Sequence, residues 1–416
     1  MMKKNLNNYL EQYIYLERYV NNGSPSGFSI NTTSDKTSPK KGDKYFNMLE
    51  FEDNDATFII GKTKDIFNRP FNYAHPDCIN SPFLKKANVK PSKYIVMPTS
   101  SARTMLLSNT SNNDFIKLTY DKIIDRSPRF IFLKDALISL ENTYKLQKAI
   151  DDEIMPKTFA ILPETSAKVT ILKNNDEEVS WGTIYREKNP YPNINGNKPY
   201  IPAFSLFSKD HKNKVNDPLI TKLINLSNKT PKQYLLNILD ITIDSFFALV
   251  INCGLFSEMH AQNCLYEIDE NYNITRLILR DMQDIAKDTL IKPNDPFPYM
   301  TEEIEKYVEI LEKRNFDSYE LPKTKYRHQR DISYYYDFKL GEYLLKPLIK
   351  TVSNHYNINK KVFYSYIKEK VNSTYTPLLP KDYFPNEWYK IRKELYDFKN
   401  KSLDYYYIKK KNPKFR

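Results

Sequence analysis

Cysteine is scarce in this chain: there are three, Cys78, Cys253 and Cys264, with no CxxC pair and no even-numbered framework. That spacing excludes a disulfide scaffold and a structural zinc site, and it fits a reducing cytosol. Long apolar runs are also missing. The most apolar stretch, FFALVI at 246–251, is far too short to span a bilayer, and Asp240 and Asp244 lie just before it. The opening residues, MMKKNLNNYLEQYIYLERY, carry charge but no apolar secretion-signal core. No internal repeat and no nucleic-acid-binding motif occurs. These absences describe a cytoplasmic protein with no membrane partner.

What is present is ordinary in bulk and uneven in distribution. Hydrophobic residues at 40% and charged residues at 27% suit a globular protein, and 416 residues suffice for two or three lobes. The formal net charge is +12, and residues 381–416 hold eleven Lys and Arg against five Asp and Glu, half of the excess. A basic tail with tyrosines can touch RNA or an anionic surface, but a solvated terminal helix explains it more simply.

Along the chain, Leu6, Tyr9, Leu10, Tyr13, Leu16 and Val20 have helical spacing, so a short amphipathic helix is expected there. Residues 21–44 lack periodicity and read as a mobile loop or linker. From 45 to 210 the runs YFNMLEF, ATFII, YIVMP, FIKLTY, RFIFL, TFAILP, KVTIL and WGTIYRE predict a mainly antiparallel β lobe, with one helix at 134–152. From 211 to 416 the pattern turns helical. Thr230-Pro231 announces a helix that should stop at Gly254, two strands follow within 254–285, and further helices are expected near 327–353, 359–371 and 385–410. The fold class is α+β.

The strand pair within 254–285 gathers chemistry. One arm opens with Glu258, His260, Gln262 and Asn263, and the other ends at Arg280 and Asp281. A hairpin brings its two ends together, so these groups should converge. Hard carboxylate oxygens suit Mg²⁺, and imidazole and amide donors suit phosphate oxygens. A polar hairpin with satisfied side chains explains the same residues. A second cluster, SSARTML, sets Ser101, Arg103 and Thr104 at a strand exit, as a phosphate-binding turn would. Lys117 and Arg129 add two cations, and Arg186 ends the strand WGTIYRE. Each is also what an exposed turn or strand end would carry.

Taken in order, SSARTML, IKLTYDKIIDRSPR, GTIYRE, GLFSEMHAQNCL and LILRDMQDI resemble the NRPS-independent siderophore (NIS) synthetases, the aerobactin-synthase-like family, over about residues 90–290. The resemblance implies a cupped hand of thumb, fingers and palm, with ATP between fingers and palm and a reduced thumb in this shorter chain. It implies adenylation of a carboxylate, often citrate, followed by attack of an amine or alcohol, with ATP and Mg²⁺ as cofactors. Ser101, Arg103, Thr104 and Lys117 would meet the phosphates, and His260, Gln262 and Asn263 would line the same pocket. Glu258 and Asp281 would hold the metal. Arg129 would stand between the ATP phosphates and the carboxylate substrate, which Asp125, Arg186 and His260 would also face, and Arg129, His260 and Lys117 would be catalytic. A homodimer is compatible with this reading.

The chain departs from the family in places. Ala261 stands where Gly is frequent, Asp125 stands where Thr or Ser is usual, and His75-Pro76 is an isolated dipeptide. Two other readings stay open. A small-molecule kinase would also place His and Asn before a hairpin and Asp after it, although here position 262 is Gln and no Asp lies between Glu258 and Asn263. A non-catalytic nucleotide-binding descendant of the family is the other.

Overall fold

The computed structural model describes residues 6–23, 34–124, 127–174, 177–194, 196, 198–287, 332–380, 384, 387–397 and 402–416. Its largest element is an eight-stranded sheet in which every neighbouring pair is antiparallel. The spatial order is Thr57–Gly61, Glu164–Asn174, Glu177–Arg186, Phe115–Leu118, Thr104–Leu107, Lys90–Pro98, Phe46–Glu52 and Phe71–Ala74. Side chains alternate between its faces, as strand geometry requires. One face packs Phe58, Ile60, Ala167, Val169, Ile171 and Ile184 under Leu133, Ala136, Leu137 and Leu140 of the helix Leu133–Asp151. The other face buries Met48, Val96, Met105, Leu107, Ile116 and Leu118. Each such side chain taken from water contributes about 1.5–3 kcal/mol before entropy is subtracted.

The run RFIFL does not form the expected strand. Pairing ends at Arg129, and the chain then crosses the sheet face to enter the helix. Gly182 permits the crossing: a Cβ there would lie 2.7 Å from the Ile131 carbonyl oxygen. Thr119 Oγ1 accepts from the Ile131 N–H at 3.1 Å, and Asp135 Oδ2 accepts from the Phe132 N–H at 3.3 Å. Side chains thus take over backbone groups that a strand would have paired.

A second sheet has four strands, in the order Tyr200–Pro202, Cys264–Ile268, Ile274–Leu279 and Phe159–Ile161, of which the last pair is parallel. The N-terminal helix, Leu6–Tyr19, is wedged at the joint. Its Tyr13 and Ile14 share one core with Met97, Leu106 and Phe115 of the large sheet and with Ala160, Leu265 and Ile278 of the small one. The segment read as a mobile linker is anchored over its described part. Asp77 accepts from the Ser34 N–H at 3.0 Å and from the Ser34 and Thr37 hydroxyls at 2.6 and 2.9 Å, and Thr37 and Ser38 are buried.

Beyond lies the helical layer. Thr230 caps Pro231–Phe247 in a reciprocal box with Gln233, as the Thr-Pro start implied. The helix continues as a π turn, Ala248–Asn252, and ends at Gly254, whose φ is +63°. Together these 22 residues are long and apolar enough to cross a membrane, but 67% of the apolar window is buried. Ile238, Leu239, Ile243, Phe246 and Phe247 pack against Tyr336, Leu340, Leu344 and Ile349, as in a core helix. A π-wound stretch, Tyr334–Leu345, runs into Lys346–Tyr356, and Lys360–Lys370 follows. Residues 327–331 of the expected helix lie outside the described ones.

The helix expected at 385–410 is instead a β-hairpin. Trp388–Asp397 pairs antiparallel with Ser402–Lys411, from Trp388 opposite Lys411 to Asp397 opposite Ser402. Strand-favouring tyrosines and isoleucines outweigh the helical spacing of the apolar residues here. Lys409 Nζ lies 4.2 Å from the centre of the Trp388 ring.

Candidate active site

The turn after Lys90–Pro98 is held by its own hydroxyl. Thr99 Oγ1 donates to the Thr104 carbonyl at 2.6 Å, and the Thr104 N–H reaches the Ser101 carbonyl at 3.3 Å. Ser101 and Arg103 therefore leave the strand within one turn, and both are half-buried. Thr104 stands directly opposite Lys117, and Lys117 opposite Ile184. The period of two puts Arg186 on the same face as Lys117. Sheet register alone thus gathers Thr104, Lys117 and Arg186 at one end of the face covered by the helix Leu133–Asp151.

Lys117 is 2% exposed, and its ammonium donates to Asp281 Oδ1 at 2.5 Å and to Gln283 Oε1 at 3.2 Å. Arg186 is paired with buried Glu164, with Nε 3.0 Å from Oε1, and its Nη2 is 3.9 Å from Asp281 Oδ1. Arg103 Nη1 donates to the Arg129 carbonyl at 3.4 Å, and Arg129 Nη2 to the Ile124 carbonyl at 3.4 Å. Burial lowers the Arg103 pKa, nearby Asp281 opposes that shift, and the Arg129 charge adds to it. Asp125 lies outside the described residues.

The hairpin closes as its sequence implied. Cys264 faces Leu279, and the Arg280 N–H donates to the Asn263 carbonyl at 3.0 Å. Asp281 then takes φ +73°, ψ +78°, a left-handed conformation that is strained for a residue with a Cβ. This conformation turns its carboxylate from the strand end onto Lys117. Burial by itself would raise the Asp281 pKa, but Lys117, Arg186 and Arg103 outweigh it and hold the group well below the usual range. Asp284 goes the other way, pushed up to about 6 by burial and by the charges of Asp281 and Glu258.

On the opposite arm, Glu258 accepts from Lys339 Nζ at 2.6 Å and from the Tyr334 hydroxyl at 3.1 Å. His260 Nδ1 accepts from the Gln262 N–H at 3.2 Å, and its Nε2 lies 3.8 Å from Glu258 Oε2. Burial, with the Lys339 charge, drives the His260 pKa down to about 4. The ring is therefore neutral at pH 7, with its proton on Nε2, pointing toward the cluster. Asn263 Nδ2 holds the Glu258 carbonyl at 3.2 Å.

The arrangement opposes cations (Lys117, Arg103, Arg129, Arg186, Lys339) to three carboxylates (Asp281, Asp284, Glu258) where the two sheets meet. Glu258 and Asp281 each already hold a lysine, and among the described residues no three His, Cys, Asp or Glu side chains are close enough to cage a metal. The described residues thus build no cage for a resident ion. An Mg²⁺ held by one or two of these carboxylates and by substrate phosphates does fit, because that is how this ion is usually bound.

Several participants escape sequence reasoning. Asp284 and Gln283 are three and two residues past Asp281, and a single 3₁₀ turn, Met282–Asp284, brings them alongside. Tyr334 and Lys339 come from a helix 76 and 81 residues beyond Glu258, and only their place in a tyrosine-rich run marks them.

No protein-family model and no curated protein matches this sequence. Solved structures do. The petrobactin biosynthesis protein AsbB from Bacillus anthracis superposes with a TM-score of 0.67 at 13% identity, over 91% of this chain and 71% of AsbB. ATP-bound aerobactin synthetase IucA from Klebsiella pneumoniae gives 0.62 at 13%, over 83% of this chain and 66% of IucA. Aerobactin synthetase IucC from the same organism gives 0.63 at 16%, over 88% and 72%. The chain has the NIS-synthetase fold: an antiparallel β lobe beside a helix-rich one, in a shorter form than these proteins.

Proposed function

We propose that this protein binds Mg-ATP and adenylates a carboxylate, which an amine or alcohol then captures, and that it acts in the cytoplasm. The observation that carries the proposal is the meeting of Arg103, Lys117, Arg129 and Arg186 with Asp281, Asp284, Glu258 and neutral His260 at one junction. The fold supports it, and so does the binding of ATP by a neighbour of that fold.

In the proposed reaction a carboxylate oxygen attacks the α-phosphorus and pyrophosphate leaves; the amine or alcohol then attacks the acyl carbon, loses its proton, and releases AMP. Both steps bring anions or developing charge together, so catalysis is alignment and charge neutralisation and needs no protein nucleophile. Lys117 and Arg103, with Ser101 and Thr104 of the turn, would hold phosphate oxygens. Arg129, half-exposed and with Nη2 on the Ile124 carbonyl, would turn its charge to the carboxylate substrate. Arg186 would act from behind, through Glu164 and Asp281. His260, neutral, would donate a hydrogen bond from its Nε2–H to an oxygen, keeping its proton, while Gln262 and Asn263 fix its loop. Mg²⁺ would supply further neutralisation of the phosphates. The carboxylate is citrate or a relative of it.

Chromatography of the spent nucleotide tests the reaction type. AMP and pyrophosphate, formed only when a suitable acid is present, are expected. ADP would instead make the protein a phosphotransferase, and a silent panel with ATP bound would make it a non-catalytic binder.

A further inference from the structure

We propose that Glu17, on the N-terminal helix, is a positioning residue that fixes the spacing between the phosphate turn and the hairpin; the inference rests on the nucleotide site proposed above. Glu17 is fully buried at the joint between the two sheets. Its Oε1 accepts from the Tyr13 hydroxyl at 2.7 Å and from Arg280 Nη1 at 2.5 Å. Its Oε2 accepts from the Ser100 N–H at 3.1 Å and from the Ser100 hydroxyl. Arg280 also donates through Nε to the Gln262 carbonyl at 2.7 Å and through Nη1 to the Tyr13 hydroxyl at 2.6 Å.

One carboxylate therefore ties together the residue before Ser101, the residue before Asp281 and, through Arg280, the backbone of Gln262. Those three points carry the groups assigned to phosphate, to the metal and to the adenine-nucleotide pocket. The partner chemistry is matched, because every group that meets Glu17 is a donor and an ionised carboxylate only accepts. Burial would raise its pKa, but Arg280, Ser100 and Tyr13 together hold it below the usual range. A glutamine of the same shape turns an NH₂ toward donors and leaves Arg280 buried without its counter-charge.

The test uses the full chain as wild type, Glu17→Gln and Ser100→Ala, with two readouts. Amide hydrogen exchange reads the spacing without nucleotide. In Glu17→Gln, exchange within 99–104 and within 262–264 should quicken together, tenfold or more, while the helix Pro231–Phe247 is unchanged. Calorimetric ATP titration in Mg²⁺ buffer reads the consequence: at least tenfold weaker binding for Glu17→Gln and a few-fold weaker for Ser100→Ala, per folded molecule. Should Glu17→Gln fail to fold, Ser100→Ala decides alone, by faster exchange within 99–104 and weaker ATP. Unchanged exchange in the folded variants overturns the positioning role whether or not ATP binds. Altered exchange in a protein whose wild type binds no ATP overturns the functional reading and leaves the positioning intact. Altered exchange with wild-type ATP affinity reduces Glu17 to a structural strut and overturns the inference.

Discussion

His75 and His260 are both buried deeply enough that burial drives their pKa down to about 4. An unfolded chain titrates near 6.5, so as pH falls the unfolded state takes up protons first. Each histidine thus contributes stability that is whole above pH 6.5 and is lost as pH drops toward 4. Asp284, raised to about 6, has the opposite sign, so the net slope is softened between pH 4 and 6. His75 sits between Phe46 and Tyr120, with Nδ1 accepting from the Asp77 N–H at 3.1 Å. His75→Phe should therefore lose less stability than wild type between pH 7 and 4.5, by about 2–3 kcal/mol in urea titrations; parallel losses would contradict this. Residues of the site were legible where local geometry gathers them. A hairpin must join Asn263 to Arg280, so Glu258, His260 and Asp281 could be grouped from sequence. Glu17 could not, because an acid on an amphipathic helix ordinarily faces water, and the joint of the two sheets around that helix is what buries it.

At the scale of elements, the C-terminal hairpin is docked on the helix that supplies Tyr334 and Lys339. Arg416 Nε donates to Asp337 Oδ2 at 2.7 Å, Arg416 Nη2 to the Trp388 carbonyl at 2.8 Å, and the Tyr336 hydroxyl to the Phe415 carbonyl at 3.0 Å. Gly341 makes room for Phe415, since a Cβ there would lie 2.5 Å from the ring. Arg416→Ala leaves Asp337 buried without its partner and should cost about 3 kcal/mol at pH 7.5. Burial already pushes the Asp337 pKa up to about 6, against the pull of Arg416, so its ionised form is the costly one. The penalty should shrink at pH 5.5, where the carboxyl takes a proton; equal penalties at the two pH values in urea titrations would count against the pair. This hairpin was illegible because its tyrosines and isoleucines satisfy a helical period as well as a strand's, and the choice falls to long-range pairing. By contrast, Thr230-Pro231 and Gly254 marked the ends of the core helix, because capping chemistry is local.

At the scale of the whole molecule, two sheets contribute opposite charges to one junction. The large sheet brings Lys117 and Arg186, and the small sheet, through the strained turn at Asp281, brings a carboxylate that faces both. Fold class and the order of the β lobe and the helical layer follow from periodicity, and five short segments carried the family resemblance that the structural neighbours support at the level of fold. The joining of the sheets was not readable, because Phe159–Ile161 and Tyr200–Pro202 lie in the β-rich half of the sequence yet pair with the later hairpin. The measurement that tests the central claim most directly is ATP–pyrophosphate exchange with Mg²⁺ and a panel of carboxylates including citrate, run beside Arg129→Ala and His260→Ala. The account predicts exchange with one acid or a small group of acids, reduced a hundredfold or more in both variants, on the order of what one oriented charge or donor contributes to such a step. Exchange that persists in both variants, or no exchange with any acid in protein that binds ATP, would contradict it.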